Sequence, residues 1–318
     1  MTTYDAEKTA TLDLALPKRI LVATDLNDSD FLVPHAVAQA RSSGAMVTLV
    51  HAILPCDSLP IGVASLDYID WEKIEGDIEV EMLSIAEKIE AASVTCDVIA
   101  KHGLAVDVIQ EQIKATHATR LIMASHGRGK WGQFMMGSVA NQLLGNVPIP
   151  VFVVGPRSAH FPNHASPRKI LHPVSLDGNY RGGIELAVTL ARKFGAELTL
   201  LHVPDRDLEA SFRPGCTHCW AKSLFADLFP KDASLVQSVK VEVAFGHLAD
   251  EIRKAAARID ADWVVMGAEP GLPLWPIAEC TAYKVLANVN CPVLVFQSSP
   301  PQAKEENTNL VRCVVGCA

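Results

Sequence analysis

Apolar residues in this chain come in short continuous runs, separated by stretches with a helical period. ILVAT (20–24), VTLVHAI (47–53), LIMAS (121–125) and VFVV (151–154) are rich in branched residues and lack the polar alternation of a half-solvated strand. Such runs fit strands covered on both faces. Between them the spacing predicts helices over about 30–43, 72–92, 105–116 and 137–145, with a third strand near 94–101. Gly44 stands where the first helix should close. Pro55, Pro60 and Gly62 make 54–71 a long loop. Strands alternating with helices imply right-handed crossovers, and so a parallel sheet with helices on both faces.

The same order then occurs a second time. KRILVAT (18–24) matches RKILHPV (168–174), and VTLVHAI matches LTLLHVP (198–204). KHGLAVDVIQEQIKATHATRLIMAS (101–125) matches AFGHLADEIRKAAARIDADWVVMGA (244–268), and NQLLGNVPIPVFVV (141–154) matches YKVLANVNCPVLVF (283–296). Four blocks in constant order, with slightly shrinking spacing, are the mark of a duplication followed by loop deletion. The chain therefore divides into a first unit at 18–156 and a second at 168–298, joined by a polar, proline-containing linker at 157–167. The second unit carries an insertion between about 204 and 236, and 299–318 lose the pattern and read as a mobile tail.

Composition narrows the functional classes. The 318 residues are 49% hydrophobic and 20% charged, with 19 Gly and 19 Pro, which excludes disordered and collagen-like chains. A net charge of −8 argues against a nucleic-acid binder, which normally carries a basic footprint. Residues 1–16 mix Asp5, Glu7 and Asp13 with apolar positions, unlike a signal peptide. The uncharged stretch Trp131–Pro156 is too interrupted by Gly and Pro to span a membrane. A cytoplasmic chain is expected, and its eight cysteines then read as reduced thiols. Cys56, Cys96, Cys280 and Cys291 sit in or beside apolar runs, as packing thiols do.

In an open parallel sheet, ligands collect beyond the carboxyl ends of the strands, where the strand order reverses. The segments to inspect are therefore Thr24-Asp25, His51-Ala52 and Met123-Ala-Ser-His-Gly-Arg-Gly-Lys130. Gly127 and Gly129 permit close backbone approach, and Arg128 and Lys130 supply positive charge for a phosphate. Gly137-Ser138 opens the next helix, where free amides favour an anion. Ser138 either caps that helix or offers its hydroxyl to phosphate. Gly127-x-Gly129-x-x-Gly132 matches the dinucleotide fingerprint in letters only, since that motif belongs after the first strand with an acidic residue downstream. Trp131 after Gly129-Lys130 rules out a Walker P-loop.

Together these residues resemble the universal stress protein family. Its motif Gly-x2-Gly-x9-Gly-Ser/Thr appears here as Ala124-x2-Gly127-x9-Gly137-Ser138, with Asp25 after the first strand and His51 in the second. The resemblance implies two tandem open five-stranded parallel-sheet α/β sandwiches, Rossmann-like and similar to the adenine nucleotide alpha hydrolases. It also implies ATP, with Mg2+ or Mn2+, as the ligand. Thr24 and Asp25 would hold the ribose or adenosine end, and the backbone at Ala52 and Met123 would meet adenine. Gly127, Arg128, Gly137, Ser138 and Val139 would surround the phosphates, with His126 close by. Ala124 departs from the pattern by one methyl group.

The second unit has lost this constellation. Ser175 replaces Asp25, Pro270 replaces Gly127, and Glu279-Cys280 falls at Gly137-Ser138. A carboxylate repels phosphate and proline lacks an amide donor. One nucleotide site per chain, in the first unit, is therefore expected. The family pairs units through their fifth strands, so the resemblance implies an internal pairing here, with a homodimer as a further expectation. The chain reads as an ATP-dependent regulatory module in the stress response, with a protein partner that the sequence does not name. Two alternatives stay open: a slow ATPase or self-phosphorylating enzyme, and a thiol or zinc sensor built on Cys216 and Cys219. His51 and His202 end matching strands and read as core or rim histidines with satisfied hydrogen bonds.

Overall fold

The computed structural model describes residues 14–54, 70–125, 137–144, 146–155, 157–158, 165–175, 180–204, 239–268 and 281–297. The 54–71 loop (beyond its ends), the 204–236 insertion with Cys216 and Cys219, most of the linker and the 299–318 tail lie outside the described residues. So do His126, Gly127, Arg128, Pro270, Glu279 and Cys280.

In the first unit β1 (Arg19–Ala23), β2 (Met46–Ile53), β3 (Cys96–His102), β4 (Arg120–Ala124) and β5 (Val151–Val154) are linked through α1 (Ser29–Ser43), α2 (Trp71–Glu90), α3 (Ala105–Ala115) and α4 (Ser138–Leu143). The second unit runs β6 (Lys169–Pro173), α5 (Tyr180–Phe194), β7 (Glu197–His202), β8 (Val239–Val243), α6 (Leu248–Ile259), β9 (Trp263–Ala268), α7 (Thr281–Asn288) and β10 (Val293–Gln297). The elements obey local chemistry. Gly44 ends α1 at φ 71°, as its position predicts, with its N–H on the Ala40 carbonyl. The Asp70 carboxylate caps α2 by accepting from the Lys73 amide at 3.0 Å.

The strands form one ten-stranded sheet in the order β3-β2-β1-β4-β5-β10-β9-β6-β7-β8. Each half is parallel, and the halves join where β5 and β10 run antiparallel, with Phe152 opposite Leu294. The two expected sandwiches are thus fused edge to edge inside one chain.

Two apolar layers flank this sheet, and each runs across both units. One gathers Leu32, Ala36, Met82, Ile85, Leu190 and Ile184 over Val22, Leu49, Phe152, Trp263 and Phe296. The other gathers Ile109, Ile113, Leu143, Ile252 and Val285 over Leu21, Leu121, Val153, Val264 and Val293. Each fully buried Leu, Ile, Val, Met or Phe among them contributes about 1.5–3 kcal/mol. At the seam Phe152 meets Trp263 edge-on at 4.8 Å, and Trp263 meets Phe194 in the same way at 5.0 Å.

Candidate nucleotide site at the carboxyl edge of the first unit

Strand register assembles the site. Ala23 pairs with Val50 on one side and Met123 on the other, so Thr24 and Asp25 stand level with His51-Ala52 and with Ala124-Ser125. Three strands at about 4.8 Å spacing span about 10 Å. Strand order reverses between β1 and β4, because the chain steps outward to β2 and β3 before returning.

The start of α4 is tied to this edge. Gly137 donates its amide to the Ser125 carbonyl at 2.7 Å, so the chain leaves β4 and re-enters at α4 at the same place. Gly137 holds the cap position at φ −60°, ψ 150°, and Ser138 is the first helical residue, exposed and not the cap. The first intrahelical bond of α4 is Asn141 N–H to Gly137 O at 3.0 Å. The amides of Ser138, Val139 and Ala140 precede it and have no partner within the helix. Ala124 closes β4 in extended backbone, and it is not among the residues with positive φ. A methyl group is compatible with that conformation, so the departure from glycine strains no backbone here.

The β1–α1 turn is tightly determined. The Thr24 hydroxyl donates to the Asp28 carboxylate at 2.5 Å and accepts the Leu26 amide at 2.9 Å. Leu26 is buried at φ 75°, an uncommon conformation for a branched apolar residue, and the hydrogen bond holds it there. Asp25 accepts the Asn27 amide at 3.0 Å and is half-buried. Burial pushes the Asp28 carboxyl up to about 7; the Thr24 hydroxyl pulls it down and neighbouring Asp25 pushes it further up. Thr24 thus spends its hydroxyl on the turn. Asp28 is the residue at this edge that the sequence did not single out, since nothing in ATDLNDSD marks which acid turns inward.

His51 donates from Nδ1 to the Thr24 carbonyl at 2.9 Å, and His202 donates to the Val174 carbonyl at 2.9 Å. The carbonyls can only accept, so Nδ1 carries the proton in both rings. Both histidines brace the first two strands of their unit. The second unit otherwise differs: Val174 has no hydroxyl where Thr24 has one, and exposed Ser175 replaces the carboxylate of Asp25. Burial pushes the Cys96 thiol up to about 11 and the Cys291 thiol up to about 12, so both remain protonated packing groups. Among the described residues no cluster of His, Cys, Asp and Glu could hold a metal ion. No helix among them is long and apolar enough to cross a membrane.

Comparison with known proteins follows the same division into halves. None of the curated proteins compared matches the chain. The crystal structure of a universal stress protein from Archaeoglobus fulgidus is similar at a TM-score of 0.67 and 19% identity, covering 90% of this chain and 97% of its own. A functionally unknown protein from Pseudomonas aeruginosa is similar at a TM-score of 0.57 and 18% identity, covering 98% and 97%. At these identities the likeness is one of fold. The universal stress protein family model matches residues 17–155 and again 167–297. Two matches spanning most of its length make this chain a member of the universal stress protein family, with two such units in tandem.

Proposed function

We propose that the first unit binds one ATP, with Mg2+ or Mn2+, and that occupancy regulates a partner protein in a cytoplasmic stress response. The reading rests above all on the Ser125–Gly137 contact, which sets the start of α4 beside the ends of β1 and β4. The fit is chemical as well as spatial. Amides at a helix start suit phosphate oxygens, the half-buried Asp25 carboxylate suits ribose hydroxyls, and Ala52 and Ala124 put small side chains at the edge where a flat base would lie. Met123 supplies backbone at the same level, and Thr24 holds the turn that aims Asp25. His126, Gly127 and Arg128 would complete the phosphate side. The bound ion would neutralise phosphate charge. The second unit serves as a structural partner through β5 and β10, and assembly of two chains is part of the same reading.

Isothermal titration with ATP tests this. Gly137→Glu is the informative variant, because φ −60°, ψ 150° admits any residue and the change adds only bulk and a negative charge. Wild type should bind with a stoichiometry of one and the variant should lose at least tenfold in affinity, as a charge beside phosphate requires. Unchanged heat in the variant would discard the site. Phosphate release followed in the same samples separates binding from hydrolysis.

A further inference from the structure

We infer that Asp28, which no contact with the ligand requires, is the positioning residue of the nucleotide site, and that its charge state sets how strongly the site holds an anion. This inference rests on the nucleotide reading above.

The geometry runs in one chain of contacts. Asp28 is 6% exposed. Its carbonyl accepts the Leu32 amide at 3.0 Å and so begins α1, while its carboxylate turns back to the Thr24 hydroxyl at 2.5 Å. That hydroxyl fixes the Leu26 amide, and Leu26 sets the direction of the turn that carries Asp25. The other side of Thr24 is held by His51. A change at Asp28 therefore reaches Asp25 through Thr24 without crossing the ligand.

Charges around Asp28 come from each packed element. The turn contributes Asp25, which repels it. The end of β2 contributes His51, acting on the Thr24 carbonyl. On α1, Asp30 faces solvent, with its carboxylate 3.5 Å from Lys88 of α2. On β4 the buried cation is Arg120, bonded to Gln39 and to the Leu14 carbonyl at the opposite end of the strand. Ionising Asp28 adds a buried negative charge beside half-buried Asp25, at an edge that must hold a polyanion. Protonated Asp28 keeps the turn without that repulsion. Because burial holds its carboxyl up near 7, the change falls in the physiological range. By linkage, ATP binding must then draw a proton onto Asp28.

The test compares wild type with Asp28→Asn by isothermal titration of ATP at about pH 6 and about pH 8, in buffers of different ionisation enthalpy. Asparagine keeps an acceptor for Thr24 but cannot ionise. Titration of the ATP phosphates is common to both proteins and cancels. Wild type should lose about tenfold more affinity than Asp28→Asn over this range, and should take up a proton near neutrality that the variant does not. Thr24→Val, which copies Val174 of the second unit, should weaken binding severalfold even at the acid end, because the link to Asp25 is cut. Equal pH dependence and equal proton uptake in wild type and Asp28→Asn, or full affinity in Thr24→Val, overturns the role of Asp28. Absence of ATP binding in wild type overturns the nucleotide reading and this inference with it.

Discussion

Replacing Phe152 with alanine removes the ring that links the two units across the seam. Phe152 lies on β5 of the first unit, is 0% exposed, and meets Trp263 of the second at 4.8 Å and His35 of the first at 5.3 Å. Truncation strips roughly 100 Å² of apolar surface, about 2.5 kcal/mol at 25 cal/mol/Å². The cavity left in a close-packed layer adds about 1–2 kcal/mol, for a loss of about 4 kcal/mol. Urea unfolding gives the total, and hydrogen exchange shows its distribution. Amides of β9 and β10 should lose protection along with those of β4 and β5, since β10 bonds to β5. A loss below about 1 kcal/mol would refute the packing argument. Lost protection confined to the first unit would refute the claim that the fused sheet couples the halves.

Two buried titrating groups give opposite pH slopes. The Asp28 carboxyl is raised from 3.8 to about 7, so between those values the folded protein holds a proton that the unfolded chain has released. Stability should fall as pH rises through this window, by up to about 4 kcal/mol, and Asp28→Asn should remove that slope. Burial holds His172 down at about 4 against an ordinary 6.5, so its contribution is full above 6.5 and is lost as pH falls toward 4, by up to about 3 kcal/mol. His172→Val, which copies Val22 of the first unit, should expose the Asp28 slope alone; parallel stability profiles for wild type and both variants would refute both assignments. The protein purified without added nucleotide should carry an adenine nucleotide identifiable by mass spectrometry, and a different class of bound molecule would count against ATP.

Much of the fold was legible because parallel strands buried on both faces must be continuous apolar runs, and Ile20–Thr24 and Val151–Val154 are such runs. Gly44 marked its helix end because the left-handed position there is cheapest for glycine. The second copy of each block reinforced both readings. What stayed hidden depends on burial of polar groups. Asp28 sits in ATDLNDSD, a segment with three acids that reads as a solvated turn, and nothing local says that one of them points inward. Arg120 opens β4, where a charge ordinarily faces water, yet it is fully buried against Gln39, and burial pulls its guanidinium down to about 9. The register that sets Phe152 against Trp263 was equally invisible, since VFVV is apolar on both faces and favours no partner edge. At the site itself, register and backbone position matter most, and these follow from topology more than from residue type.

The proposed site takes a single triphosphate, in the first unit alone. Native mass spectrometry of the intact chain, saturated with ATP and Mg2+, counts bound nucleotides directly. One nucleotide per chain, lost in Gly137→Glu, is the predicted result. Two per chain, or one that persists undiminished in that variant, would contradict it.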